Sequence, residues 1–440
     1  FYIACLVPLA VSVSLAMIAN QQRLGLRGLA FHPFNLLGFF IVITTIDFMT
    51  AHEMTLRGES IRSATYSEYT PGAVWNGLAF FILCSLAILF GCFLGSRGKG
   101  RLMVDDGGDA DQKAAFVVAA GAFGLAAFTV LTVVGVALAR GSIGYVAGIK
   151  GVFFRDNAIL YVLYSMLLPA FYLYGSRVGR WNLILTAYFV AVLLLLPIGS
   201  RGSIAMLTVG LLFWASRHWP IPVAALYVFS PVVAIGLTYY RWATRESAVY
   251  NTFGQFLDAH DGLAGALFNT PDISMAEAIT INVNQDLVHR APWDSILGVL
   301  LIPVPRSIAP FKPFGASTEF TQQSDLARWL TVKAEWTVTG FVNLLMDFGY
   351  VIALFATFGL AYWWSITMAR RASSPRSISF AAPVLIYFMY VFYRGDIYNL
   401  GTAMWPAGLV VIAHTVATRI FKSAKAKPAV GRPAVWRTGA

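Results

Sequence analysis

The chain has 440 residues, of which 58% are apolar, 15% aromatic and 12% charged, with a formal net charge of +11. Soluble domains run near 45–50% apolar and about 25% charged, so this balance excludes an ordinary soluble enzyme, a disordered chain and a disulfide scaffold. A helix needs about 20 apolar residues to cross roughly 30 Å of hydrocarbon, and runs of that kind dominate here. They predict an all-α polytopic integral membrane protein with eleven spans: 1–19, 29–50, 73–95, 114–139, 158–174, 183–199, 203–215, 223–240, 338–362, 378–393 and 399–416. The first run opens at Phe1 without a preceding Met, which reads as a first span with residues missing before it. The seventh run is short, and only Gly199-Ser200-Arg201-Gly202 separates it from the sixth, which suits a helical hairpin or a re-entrant pair. Cys5, Cys84 and Cys92 lie in apolar runs and form neither a CxxC motif nor a disulfide framework.

Lys and Arg set the orientation. One set of connections, with the tail, carries 18 basic residues, and the short loops of the other set carry 7. The richer set is cytoplasmic by the positive-inside rule. That places the basic tail in the cytoplasm beside anionic lipid heads, and it accounts for the net charge without nucleic acid. Four regions follow: 1–240 with eight spans, 241–337 as a large outer loop, 338–416 with three spans, and 417–440 as the tail. The loop is 97 residues long and holds 10 acids and 7 bases. Its pieces Phe253-Gly-Gln-Phe-Leu and Leu326-Ala-Arg-Trp-Leu read as short helices lying on the outer surface. Asp105, Asp106, Asp109 and Asp111 read as a solvated linker, because the glutamate of a calcium loop is missing. No internal repeat and no inverted pair of broken spans appears, which weighs against a secondary transporter.

Few ionisable residues fall within spans, namely Asp47, Asp347 and His414, and they read as packing or interfacial residues. The outer ends of the spans differ. Arg201, Arg241, Arg245, Arg306 and Arg394 collect there against the positive-inside trend. A guanidinium fork matches phosphate oxygens, so this group suits a lipid-linked phosphate or diphosphate; the alternative is snorkelling or pairing with Glu246 and Asp396. Prolines 303, 305, 310 and 313 predict a rigid extended segment that holds Arg306 and Lys312. His289 beside Arg290 is the most attractive acid–base pair of the loop. His260 with Asp258 and Asp261 lacks the spaced His/Cys set of a metal site, and neither a phosphate-binding glycine loop nor a serine elbow is present.

Several of these features together resemble the bacterial oligosaccharide repeat-unit polymerases, the Wzy-type O-antigen polymerases. The resemblance rests on Gly199-Ser200-Arg201-Gly202 after a very apolar span, the long loop late in the chain, and residues 294–313 (DSILGVLLIPVPRSIAPFKP). It rests also on Asp347-Phe348-Gly349 and Arg394-Gly395-Asp396, and it covers about 190–400. The chain departs from the family before Phe-Gly, where a glutamate is common; here the nearest glutamate is Glu335. The resemblance implies a GT-C-like membrane glycosyltransferase in the cytoplasmic (inner) membrane, acting at its outer face. A hydroxyl of an incoming lipid-linked repeat unit would attack the anomeric carbon of a growing glycan, and polyprenyl diphosphate would leave. It casts Arg201 and Arg394 as catalytic diphosphate ligands, with His289 as base or orienting group. Arg241, Arg306, Lys312 and Asp396 would join them in binding diphosphate or saccharide. No cofactor or metal is required where arginines neutralise the leaving group. The implied partners are the polyprenyl-diphosphate-linked oligosaccharide, the lipid bilayer, a chain-length regulator and a flippase, and no nucleic acid. A lipid-linked saccharide flippase or other transporter, or a ligase-like transferase, is the alternative.

Overall fold

The computed structural model describes residues 1–21, 33–57, 70–97, 108–139, 157–178, 180–197, 201–215, 252–259, 275–285, 290–324, 338–371 and 375–426, with a few single positions between them. Among the described residues there is no strand. Among the described residues, eight helices precede the large loop: α1 Tyr2–Gln21, α2 Pro33–Leu56, α3 Pro71–Ser96, α4 Asp109–Ala139, α5 Ala158–Ser165, α6 Leu167–Val178, α7 Trp181–Leu195 and α8 Arg201–Ala215. The loop holds α9 Phe253–Asp258, α10 Ala276–Gln285, α11 Asp294–Leu300 and α12 Ala316–Ser324. After it the described residues form α13 Gly340–Arg371, α14 Pro375–Arg394 and α15 Ile397–Ala426.

Among the described residues, five stretches are long and apolar enough to cross a bilayer: α3, α4, the α5–α6 pair, α13 and α15. Shorter apolar helices lie in α1, α7, α8 and α14. Ten of the eleven expected runs fall on helices, and 223–240 lies largely outside the described residues. Phe128 and Leu131 on α4 and Val351 and Phe355 on α13 stand exposed. Apolar side chains exposed along such helices suit lipid and not water. The chain is therefore an all-α membrane protein.

Local chemistry explains the helix ends. Thr70 caps α3 by accepting from the Ala73 N–H at 3.2 Å, with Pro71 as the first helical residue. Pro169 has no N–H to give Ser165, and the chain steps from α5 to α6 at Met166. Gly349 adopts φ 78°, a left-handed value open to glycine, and interrupts α13. Residues 340–348 thus form a separate short turn of helix above the main rod.

The tightest packing joins α3 to α13. Gly91 and Gly95 are four residues apart and face the same way. A Cβ on Gly91 would stand 2.5 Å from the Phe358 carbonyl oxygen, and one on Gly95 would stand 2.5 Å from that of Tyr362. Ser365 Oγ closes the contact by donating to the Cys92 carbonyl at 2.7 Å. Small residues that let backbones touch are the usual device where lipid removes the hydrophobic drive between helices.

The large loop belongs to one end of the bundle, called here the loop end. Its helix α10 is not a surface helix: Ala276, Ala278, Ile279 and Ile281 are buried. Asp47 Oδ2, on α2, accepts the N–H groups of Met275 and Ala276 at 2.6 Å each. Asn284 bonds Asn76 of α3 at 2.8 Å, and Tyr350 of α13 donates to the Val283 carbonyl at 3.0 Å. Of the two expected surface pieces, the first is α9, which Thr252 caps and which buries Phe256. At the opposite end, Asp111 pairs with Arg177 at 2.8 Å and with His414 at 3.2 Å, so His414 ties α15 to α4.

The proline segment corrects an expectation. It is a series of turns and not extended chain: Val304 N–H reaches Leu301 O at 2.9 Å, Ile308 N–H reaches Pro305 O at 3.0 Å, and Lys312 N–H reaches Ala309 O at 3.1 Å. The fixed φ of proline serves turns as well as extended chain, and Pro310 takes the second position of the last turn, where proline is favoured.

Candidate functional site

The site is built where residues 290–324 meet α13 and the turn between α14 and α15. Its centre is Arg290, whose side chain is only 1% exposed. Nε lies 3.0 Å from Asp347 Oδ1, Nη1 lies 2.7 Å from Glu319 Oε2, and Nη2 donates to the Phe314 carbonyl at 3.0 Å. Asn343, one turn before Asp347, donates to Asp347 Oδ2 at 2.9 Å and to Ser295 Oγ at 2.8 Å. Its own carbonyl accepts the Ile397 N–H at 2.9 Å. One buried polar web therefore joins α11, α12, α13 and the start of α15.

Asp396 forms a second anchor in the α14–α15 turn. Oδ2 accepts the Ser317 N–H at 2.8 Å, and Oδ1 accepts the Asn399 N–H at 2.8 Å. Burial pushes its carboxyl above the ordinary range, against those two amides, which pull it down. Gly315 is required here, since a Cβ would stand 2.8 Å from Asp396 Oδ2. Burial also raises the Glu319 carboxyl; Arg290 opposes this, while Asp294 and Asp347 add to it.

Arg306 and Lys312 face their own loop. Arg306 donates to the carbonyls of Lys312 at 2.5 Å and Pro313 at 3.0 Å, and its guanidinium lies 3.8 Å from the Phe314 ring centre. Lys312 is buried and donates to the carbonyls of Ile302 at 3.0 Å and Val304 at 3.2 Å.

Arg394 closes α14. Its Nη1 donates to the Tyr390 hydroxyl, one turn earlier, at 3.0 Å. The same hydroxyl lies 3.6 Å from where a Cβ on Gly202 would be. Tyr390 thus brings the end of α14 to the first turn of α8, which opens at Arg201. A helix start presents free N–H groups and the positive end of the dipole. The Arg201 side chain, Arg241 and His289 lie outside the described residues.

The expected residues therefore divide in two. Arg394 and the backbone at Arg201 meet through Tyr390. Arg306, Lys312 and Asp396 meet in the loop anchor. Glu319, Asn343 and Ser317 are polar residues that stand in no motif, and Ser295 lies within 294–313 with nothing in the sequence to mark it out. The Tyr390–Arg394 spacing of four on a helix was a legible signal. Among the described residues, no three His, Cys, Asp or Glu side chains group so as to hold a metal ion. Comparison of the chain with protein-family models, curated proteins and solved structures finds no match.

Proposed function

We propose that the chain is a membrane glycosyltransferase that polymerises polyprenyl-diphosphate-linked oligosaccharide repeat units at the outer face of the cytoplasmic membrane. In this reading it has eleven spans in a GT-C-like arrangement, a cytoplasmic C-terminus, and residues 241–337 outside. The observation that carries the reading is the meeting of Arg394 and the α8 start at Tyr390. Arg394 and the backbone start of α8 then meet at one end of the bundle. Such a place suits an anion whose lipid tail stays in the bilayer.

The acceptor hydroxyl attacks the anomeric carbon as its bond to the diphosphate oxygen breaks, and the hydroxyl proton passes to a base. Negative charge grows on the departing diphosphate, and fixed guanidinium groups stabilise that charge. Arg201 and Arg394 take this role, with Arg241 as a further candidate ligand and His289 as the candidate base. Arg290, Arg306, Lys312 and Asp396 hold the loop that covers the saccharide. A flippase and a chain-length regulator are the proposed protein partners.

The test is reconstitution of the purified protein in lipid with a polyprenyl-diphosphate-linked repeat unit, with the products resolved by size. A ladder of multimers supports the reading, and Arg394→Ala should remove it at unchanged protein abundance. Absence of any elongation, with substrate crossing the bilayer faster than in protein-free vesicles, would replace it with a flippase.

A further inference from the structure

Residues 294–315 lie beside α15, and their depth can be read from it. Residues 397–418 hold no Asp, Glu, Lys or Arg. At 1.5 Å per residue that stretch covers about 33 Å, the thickness of a hydrocarbon core. α11 descends along it. Gly298 packs on the Tyr398 ring, and Val299 and Ile302 pack against Gly401. The Val299 carbonyl accepts from Trp405 Nε1 at 2.7 Å. Trp405 lies eight residues into α15, about 12 Å below its start. The chain then turns and climbs back, so that Gly315 again sits against Tyr398 and Asp396.

Non-helical backbone at such depth is tolerated only where its polar groups are satisfied by protein. This segment meets that demand in an unusual way. Prolines 303, 305, 310 and 313 remove four N–H groups. The carbonyls of Ile302 and Val304 are capped by Lys312, those of Lys312 and Pro313 by Arg306, and that of Val299 by Trp405. A loop in water needs none of this. Meanwhile Leu300, Ile308 and Phe311 are exposed at 60%, 73% and 70%, and Trp293 stands at the entry. Met404 of α15 is exposed as well.

From this the geometry points to a re-entrant element: residues 294–315 dip into the leaflet at the loop end, with Leu300, Ile308 and Phe311 in contact with lipid hydrocarbon. The occupant of this apolar surface is the bilayer itself. Arg306 and Lys312 are the polar plugs that let the backbone enter. The inference stands on packing depth and hydrogen bonding, and it holds for an enzyme or a transporter alike.

The experiment places an environment-sensitive fluorophore on single cysteines in the full chain, with Cys5, Cys84 and Cys92 replaced, reconstituted in vesicles of phosphatidylcholine. Leu300→Cys and Phe311→Cys are the test positions. Gln323→Cys on α12 and Phe253→Cys on α9 are controls, the second because it is also aromatic and exposed. Lipids brominated along the acyl chain should abolish most of the emission at 300 and 311 and leave the controls bright. A membrane-impermeant maleimide should label the controls and spare the test positions. Equal quenching at all four positions, or bright and freely labelled probes at 300 and 311, would overturn the inference. Since all four side chains are exposed, folding of the variants is checked by an unchanged elution volume.

Discussion

Removing Arg290 should unfasten the loop, and the structure sets the size of the effect. Arg290→Met keeps length and apolar stem but deletes a guanidinium that serves Asp347, Glu319 and the Phe314 carbonyl. Asp347 is left buried, its side chain at 0% exposure, with Asn343 still donating to it. Breaking one partner of a buried ion pair typically costs about 3–5 kcal/mol, because the remaining charge is stranded. The magnitude thus comes from the orphaned carboxylate and not from the lost attraction. That reasoning makes a second demand. Adding Asp347→Asn removes the stranded charge, retains a side chain that can accept from Asn343, and should bring the loss back to about 1–2 kcal/mol. Equilibrium unfolding in mixed detergent micelles gives both numbers, and limited proteolysis across 290–324 reports whether the loop itself is released. If the double variant is no more stable than Arg290→Met alone, the two residues are not coupled and the account of the anchor fails.

Three other outcomes follow from particular contacts. Gly91→Ala and Gly95→Ala drive a methyl to 2.5 Å from a facing carbonyl oxygen, while a Cβ at Gly121 meets nothing within 4 Å; the first two should each cost about 1–3 kcal/mol by overpacking, and Gly121→Ala should leave the melting temperature in detergent unchanged. Asp47→Ala strips the acceptor from the Met275 and Ala276 amides, so it should cost about 1–2 kcal/mol, the scale of a lost helix cap, and speed hydrogen exchange across 276–285 ahead of α3. Glu319 has a raised carboxyl pKa. Its stabilising contribution is complete below the ordinary value of about 4.3 and is lost as pH rises through the higher folded value. The unmodified protein should therefore lose stability on going from pH 4 to 7 relative to Glu319→Gln, and a parallel pair of profiles would refute the shift.

The sequence made the helices legible for a plain reason: hydrocarbon demands long apolar runs, and a run is visible without a fold. Interruptions were less legible. Pro169 and Gly349 could be read as breaks only once Met166 and the left-handed φ of Gly349 were seen. α10 was missed because Ala276–Gln285 is neither long nor markedly amphipathic. Its burial depends on Asp47 from a helix more than 200 residues away. The prolines of 303–313 signalled rigidity correctly and shape wrongly, since one φ serves both turns and extended chain.

Basic residues at the loop end looked alike in the sequence, and a count by side treats them as one population. The structure gives them three different surroundings. Arg290 is enclosed by carboxylates and a carbonyl, so its charge is already matched and it has little to offer an anion. Arg306 and Lys312 point back at carbonyl oxygens of their own loop, which exist in that shape only because prolines bend it. Arg394 donates to the Tyr390 phenol, and that phenol abuts the first turn of α8. A neutral hydroxyl orients a guanidinium without cancelling its charge. Because that contact links the end of α14 to the start of α8, Arg394→Ala is the substitution that bears most directly on the diphosphate reading.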